Sequence, residues 1–242
     1  MWGDGKMDRI CPVGDQALLC EFRNSIDEDT NNQVQRLATQ IRESKIKGVE
    51  ELLPTYRSLL VFYDKNKTSY SKVAKKLQKL EDVALENKKI EKKIRVVPCC
   101  YEGEFGPDLI DMSKVLDLSP KEIIEIHQSS IYKIYMLGFL PGFVYLGGLD
   151  KRIHIPRLET PRTKIPARSV GIGGNQTGVY PMESPGGWRL IGRTPLDFYN
   201  PQENPPVLCA AGEYIKFQAV SEKEYVDILI DVKRGRYKEE YI

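Results

Sequence analysis

The alternation of hydrophobic and polar positions in the first hundred residues predicts four strands and two amphipathic helices. Apolar residues recur at strand spacing in residues 17–22, 49–53, 58–63 and 90–97. A first helix, with Asp27 as its N-cap, is predicted by an apolar stripe at i, i+3, i+4 and i+7, which is formed by Val34, Leu37, Ala38 and Ile41. A second helix is predicted from Val73, Leu77 and Leu80. The order βαββαβ matches a ferredoxin-like arrangement and predicts a small α+β domain over residues 1–97.

From Pro98 onward the pattern changes to short strands that are separated by turn residues. Such runs occur at residues 132–137, 169–172, 179–180, 188–191 and 214–220. Two capping boxes, Ser119 with Glu122 and Ser221 with Glu224, predict the starts of two helices. This pattern predicts a closed or nearly closed β-barrel as a second domain, over residues 98–242.

Residues 137–206 contain 10 of the 15 prolines and 11 of the 19 glycines. Proline fixes φ and glycine opens φ values closed to other residues, so the run encodes a defined series of turns. It also carries large aromatic side chains that need burial or a ligand to cover them. These aromatics are Phe139, Phe143, Tyr145, Tyr180 and Trp188. The run therefore predicts a folded surface that bears a site.

Composition and charge narrow the class of protein. A chain of 242 residues with 41% hydrophobic content can bury a substantial core. The net charge of +2 gives no general attraction to nucleic acid or to an anionic membrane. The five cysteines show no zinc-binding spacing, which predicts no metal site and favours a reducing, cytoplasmic setting. No segment reads as a transmembrane helix.

Basic side chains are concentrated between residues 151 and 193, a segment that contains eight lysines and arginines and only two glutamates. Guanidinium groups pair well with carboxylates and phosphates, so we predict a small anionic substrate bound by Arg157, Arg162 and Arg193. The alternative is that several of these arginines brace backbone carbonyls of the proline-rich turns. The glycines of residues 171–178 resemble a phosphate loop only weakly, because Val179 and Tyr180 follow where a Walker motif has Lys and Ser or Thr.

Four further side chains are candidates for catalytic groups. His127 is a candidate general base, although a histidine beside Ile123 and Ile124 on a helix is more often a hydrogen-bonded packing residue. Gln176, Thr177 and Tyr180 lie on a glycine-bent segment, where they could orient a substrate amide or carboxylate, or equally satisfy the backbone of the barrel. From the residues alone, the reaction stays unnamed.

Several long motifs carry a resemblance to a known family. They are GDQALL at 14–19, PTYRSLLVFYD at 54–64, GFLPGFVYLGGLD at 138–150, PRTKIPARSVGIGGNQTGVYP at 161–181 and SPGGWRLIGRTP at 184–195. From about Arg9 to about Val232, the chain resembles the family of bacterial 5-oxoprolinase B subunits, also called the sporulation kinase A inhibitor or allophanate hydrolase subunit 1 family. The family commonly has Pro where Val144 stands and Gly where Arg168 stands.

The resemblance implies a small N-terminal α+β domain followed by a cyclophilin-like β-barrel. It implies an ATP-hydrolysing 5-oxoprolinase, in which this protein works with the A and C subunits to open 5-oxo-L-proline to L-glutamate, with ATP bound by the complex. On that basis Gln176, Thr177 and Tyr180 are expected to orient the lactam, and Arg157, Arg162 and Arg193 to bind anionic groups. The alternative that the resemblance implies is an inhibitor that binds the dimerisation helices of a sporulation histidine kinase.

Overall fold

The computed structural model describes residues 7–83 and 93–242, and the chain divides into two compact units, Met1–Glu91 and Lys92–Ile242. In its described residues, the first unit contains four strands and two helices. These are β1 (Arg9–Val13), β2 (Ala17–Glu21), α1 (Glu28–Ser44), β3 (Val49–Pro54), β4 (Ser58–Tyr63) and α2 (Tyr70–Val83). The strands form one antiparallel sheet in the order β1-β2-β4-β3.

Local sequence signals account for the helix α1 and its packing. The Asp27 side chain accepts a hydrogen bond from the backbone N–H of Thr30 at 2.8 Å, which satisfies one of the free donors at the helix start. The predicted stripe from Val34 to Ile41 is buried, and it packs in one core with residues of β2, β4 and α2 such as Leu59 and Leu77. The N-cap and the apolar stripe predicted from the sequence are thus confirmed.

The ferredoxin-like prediction for the first unit is not confirmed. The sequence pattern does not predict β1, which pairs with β2 from Arg9 to Val13 and contains a proline, a residue disfavoured inside strands. The last strand predicted for this unit, residues 90–97, is in fact a strand of the second unit, because residues 94–100 pair in parallel with residues 214–220. Residues 90–92 lie outside the described ranges. The observed order is therefore ββαββα, and the division falls before residue 98.

The second unit contains the barrel. Its strands are β5 (Ile94–Cys100), β6 (Tyr132–Leu137), β7 (Val144–Gly147), β8 (Arg162–Ile165), β9 (Ser169–Gly173), β10 (Gln176–Val179), β11 (Ser184–Gly186), β12 (Arg189–Arg193) and β13 (Tyr214–Val220). Seven of them close a barrel in the order β10-β7-β6-β13-β5-β12-β9, with β9 also paired to β10. The separate β8–β11 ribbon has two strands. A closed barrel, as the sequence predicts, is confirmed.

Three helices accompany the barrel: α3 (Leu109–Leu116), α4 (Pro120–Ser129) and α5 (Glu222–Lys233). Both predicted capping boxes are present, Ser119 with Glu122 at α4 and Ser221 with Glu224 at α5. The main core of this unit is built from buried apolar side chains such as those of Ile134, Ile172 and Phe217. In the described residues, no helix is both long enough and apolar enough to cross a bilayer.

Candidate functional site

The five aromatic side chains of the glycine- and proline-rich run form one continuous cluster. Phe143 lies at its centre, with ring centroids 4.7 Å from Tyr145, 5.0 Å from Tyr180 and 5.5 Å from Trp188. The exposed ring of Phe139 packs edge-on against Phe143 at 5.6 Å. Edge-to-face packing of this kind is favourable for aromatic rings. The run thus builds a folded surface around these rings; we name the five residues the aromatic cluster.

Glycines allow Trp188 to lie against the strands β9 and β10. A Cβ at Gly173 would come within 2.5 Å of the indole ring, and one at Gly178 within 3.0 Å. Gly174 turns the chain between the two strands with φ +70°, a conformation that favours glycine. Residues 171–178 therefore form a hairpin whose glycines make room for Trp188, and they do not form a phosphate loop.

Arg157 and Arg162 lie beside the aromatic cluster. The exposed Arg157 places its guanidinium carbon 5.8 Å from the centroid of Trp188, within the range of a cation–π contact. Arg162 donates from Nη2 to Oδ1 of Asp108 at 2.5 Å, and from Nη1 to the backbone oxygen of Trp188 at 3.5 Å. Arg162 is therefore already held by a buried carboxylate, whereas Arg157 offers an exposed cation over a flat ring.

The hydroxyl groups of the aromatic cluster are protonated at neutral pH. Burial raises the pKa of Tyr180 to about 12, against a smaller lowering effect of Arg157 and Arg162. Burial also raises the pKa of Tyr145, again opposed by Arg157. Because these phenols do not ionise near neutral pH, the arrangement is suited to binding and orienting an anion rather than to taking up a proton.

Arg193 lies among a different set of residues. Its guanidinium carbon is 5.2 Å from the centroid of Phe105, and its charge acts on Cys100 and Tyr225. Among the described residues, its Nε atom is buried without a hydrogen-bond partner. The three arginines predicted to bind one anion are thus divided between two environments, with Arg157 and Arg162 in one and Arg193 in the other.

His127 and Thr177 lie inside the second unit, where neither side chain is exposed. Thr177 Oγ1 donates to the backbone oxygen of Gly171 at 3.0 Å, so it accepts from His127 Nε2 at 3.0 Å. His127 Nδ1 then accepts from the hydroxyl of Tyr101 at 2.8 Å. Burial lowers the pKa of His127 to about 3. This geometry favours the packing interpretation of His127 over the general-base interpretation.

The seven predicted site residues therefore do not meet around one cavity. Gln176 is half-buried at the start of β10, where it pairs across the hairpin with Gly173. A cavity of about 480 Å³ is lined by residues of α4, β5 and β13 together with Ile242, and it includes none of the seven. The part of the predicted set that lies together on the surface is Arg157 and Arg162, beside Tyr180 and Trp188.

Comparison with known proteins places this chain in a family. A family model described as the carboxyltransferase domain, subdomain C and D, matches residues 8–209. The 5-oxoprolinase B subunit of Bacillus subtilis (strain 168) is 45% identical over 228 residues, which cover 90% of this chain and 95% of that protein. The chain belongs to the family of 5-oxoprolinase B subunits.

A further relative and a solved structure agree with this assignment. The 5-oxoprolinase B subunit of Haemophilus influenzae is 38% identical over 210 residues, covering 86% of this chain and 96% of that protein. A solved structure of a conserved uncharacterized protein from Pyrococcus horikoshii is 47% identical, covers 90% of this chain and 100% of that one, and has a TM-score of 0.55. The resemblance stated from the sequence motifs is thereby confirmed.

The structure of this family member reveals two ion pairs that the sequence analysis missed. Asp108 is buried, and besides Arg162 it accepts from the backbone N–H of Leu190 at 2.6 Å. Arg168 has φ +67° and donates from Nε to Asp197 at 2.7 Å. The left-handed backbone explains why glycine suits this position in the family. Arg168 stands where the family commonly has glycine, and this departure drew attention to the position. Nothing in the sequence around Asp108 indicated a partner 54 residues away.

Proposed function

We propose that the chain is the B subunit of an ATP-dependent 5-oxoprolinase, which with its A and C subunits converts 5-oxo-L-proline to L-glutamate. The observation that carries the proposal is the 45% identity to the Bacillus subtilis 5-oxoprolinase B subunit over nearly the whole length of both chains. In the proposed reaction, ATP phosphorylates the lactam oxygen and releases ADP. Water then attacks the activated carbon, the C–N bond breaks, and phosphate leaves.

Within that reaction we assign a binding role to the surface formed by Arg157, Arg162 and Trp188. Arg157 is exposed over the indole ring, so its guanidinium is available to a carboxylate or a phosphoryl group. The charge of Arg162 is balanced by Asp108, so Arg162 holds the surface in place and Arg157 supplies its exposed cation. A cation held beside the substrate by this surface would stabilise negative charge as it develops there.

We assign no residue of this chain to ATP. The glycines of residues 171–178 are occupied by the hairpin turn and by Trp188, so their backbone N–H groups do not converge on a phosphate site. ATP is therefore proposed to bind elsewhere in the complex. His127 and Thr177 are proposed to position the hairpin from inside the unit, while the orienting roles of Gln176 and Tyr180 stay predictions.

The test is reconstitution with the A and C subunits, with L-glutamate and ADP measured as products. We expect Arg157→Ala to lower turnover by about tenfold or more, because a charge-assisted contact to the substrate is lost. The matched control is Arg152→Ala, since Arg152 is exposed in the same segment and pairs with Asp150 at 2.7 Å. Arg193→Ala tests the second arginine environment in parallel, and co-purification reports assembly of each variant.

Two outcomes would contradict the proposal. If the complete mixture forms no glutamate from 5-oxoproline, the assignment to 5-oxoprolinase fails, and inhibition of histidine kinase autophosphorylation becomes the activity to measure. If glutamate forms but Arg157→Ala and Arg152→Ala behave alike, the family function stands and the binding role of Arg157 is wrong.

A further inference from the structure

A cavity of about 480 Å³ lies on the second unit, outside the aromatic cluster and its arginines. Its walls are α4, which contributes Glu125, Gln128 and Ser129, and β13, which contributes Lys216. Its size is within the range of small-molecule sites in proteins, which runs from about 300 to 1,000 Å³. Nothing in the proposed 5-oxoprolinase reaction uses these residues.

Residues near the end of the chain build one side of this cavity. Ile242 exchanges two backbone hydrogen bonds with Ile94 at 3.0 and 3.1 Å, and Glu240 accepts from the N–H of Val96 at 2.9 Å. An ion pair between Arg95 and Glu239 holds the same segment. Both Val96 and Ile242 line the cavity, so this strand-like pairing on β5 supplies an apolar wall.

Lys216 supplies a cation to the cavity. The residue is half-buried on β13, and among the described residues it has no hydrogen-bond or ion-pair partner. Its neighbour Phe217 is buried and also lines the cavity. A cation beside apolar surface attracts a carboxylate more strongly than a fully solvated lysine does, because water screens the charge less.

Helix α4 supplies an anion and neutral polar groups to the cavity. Glu125 is exposed, and its ion pair with Lys121, at 3.8 Å, is a surface pair that contributes little and does not prevent other contacts. Gln128 uses Oε1 to accept from the N–H of Ala219 at 3.1 Å, which leaves its amide nitrogen as a donor. Ser129 donates to Ile126, which leaves its oxygen as an acceptor.

We propose that this cavity binds a free α-amino acid, with its carboxylate at Lys216 and its ammonium group at Glu125. The two charges of the ligand match the two charged side chains, and its side chain would lie over Val96 and Ile242, which line the cavity. Gln128 and Ser129 supply hydrogen bonds to polar atoms of the ligand. The inference does not rest on the proposed 5-oxoprolinase activity, because it concerns binding to the isolated chain.

The experiment is isothermal titration calorimetry of the full-length chain with L-glutamate and L-glutamine as probes. Glutarate, which lacks the ammonium group, is titrated in parallel. We expect one amino acid site, and Lys216→Ala should weaken amino acid binding by about tenfold or more. Glu125→Gln should weaken binding of the amino acids but should not weaken binding of glutarate. Lys114→Ala is the matched control, since Lys114 is an exposed lysine on α3 that pairs with Asp111.

Circular dichroism of each variant shows whether it retains the fold of the wild type. Lys216→Arg provides a second test, because it keeps the positive charge and should retain part of the binding. The proposal is overturned if neither amino acid binds to the wild type at millimolar concentration. It is also overturned if Lys216→Ala and Lys114→Ala bind alike, or if Glu125→Gln weakens glutarate as much as glutamate.

Discussion

His127 shows how a single buried side chain can be both central to the fold and unsuited to proton transfer. Its two ring nitrogens are engaged by Tyr101 and Thr177, and the ring packs 4.7 Å from that of Phe217. A charged imidazole at this place would lose a hydrogen bond from Tyr101 and would have no solvent around it. The neutral form is therefore the one that the folded state stabilises.

We predict that His127 makes the protein less stable as the pH falls below 6.5. The pKa is lowered from 6.5 to about 3 in the folded state, so between these values the unfolded chain binds a proton that the folded chain does not. The linkage should destabilise the protein by about 2 kcal/mol at pH 5 relative to pH 7.5. Urea unfolding of wild type and His127→Gln at both pH values measures this.

The variant is expected to be less stable overall but to lose less stability on acidification. His154, the second histidine, is half-buried and remains in both proteins, so it cancels in the comparison. Nuclear magnetic resonance of the His127 ring provides a direct control, since the ring should stay neutral down to about pH 4. Equal acid sensitivity of the two proteins, or a ring that titrates near 6.5, would contradict the prediction.

At the scale of single elements, the hairpin of β9 and β10 explains the concentration of glycines in residues 171–178. Gly173 and Gly178 accommodate the ring of Trp188, and Gly174 supplies the turn. Trp188 itself lies outside the hairpin, directly before β12. The glycine run is thus a packing device for an aromatic ring, which accounts for its poor match to a phosphate loop.

We predict that Gly173→Ala destabilises the second unit by about 1–3 kcal/mol, because the new methyl group would overlap the indole ring. Its Cβ would lie 2.5 Å from Cδ1 of Trp188. Gly187→Ala is the control, since a Cβ there has its nearest neighbour at 3.7 Å, an ordinary contact. Urea unfolding followed by circular dichroism measures both variants. Similar stability of Gly173→Ala and Gly187→Ala would show that Trp188 moves aside without cost.

Elements with strong local signals were predicted correctly from the sequence, and long-range pairing was not. The caps at Asp27, Ser119 and Ser221 depend on residues within three positions, so the sequence alone reveals them. The partner of Arg162 lies 54 residues away, and no local rule gives such a pairing. The aromatic residues between 139 and 188 were likewise recognised one by one from the sequence. Their packing into one cluster depends on long-range contacts, so only the structure shows it.

At the scale of the whole molecule, β5 decides where the chain divides. Its seven residues pair with β13 in parallel, and parallel pairing cannot be recognised from alternation along one strand. The alternating pattern therefore led to residues 90–97 being assigned to the first unit, whose sheet has four antiparallel strands in the described residues. Val97 and Cys99 are fully buried in the core of the second unit, so they contribute to the barrel.

We predict that a fragment of residues 93–242 folds, whereas a fragment of residues 98–242 does not. The shorter fragment lacks the first four of the seven residues of β5 that pair with β13, and it lacks the partners of Glu240 and Ile242. It also loses the buried side chain of Val97. Dispersion of amide resonances and thermal unfolding by circular dichroism distinguish a folded barrel from an unfolded chain.

The complementary fragment, residues 1–92, tests the same division from the other side. If β5 belongs only to the barrel, this fragment keeps all four strands and both helices of the first unit, so it should unfold cooperatively on its own. A βαββαβ unit would instead lose its last strand and one edge of its sheet. If residues 98–242 fold and residues 1–92 do not, β5 belongs to the first unit. That is the result expected if the first unit has the ferredoxin-like arrangement and ends at residue 97.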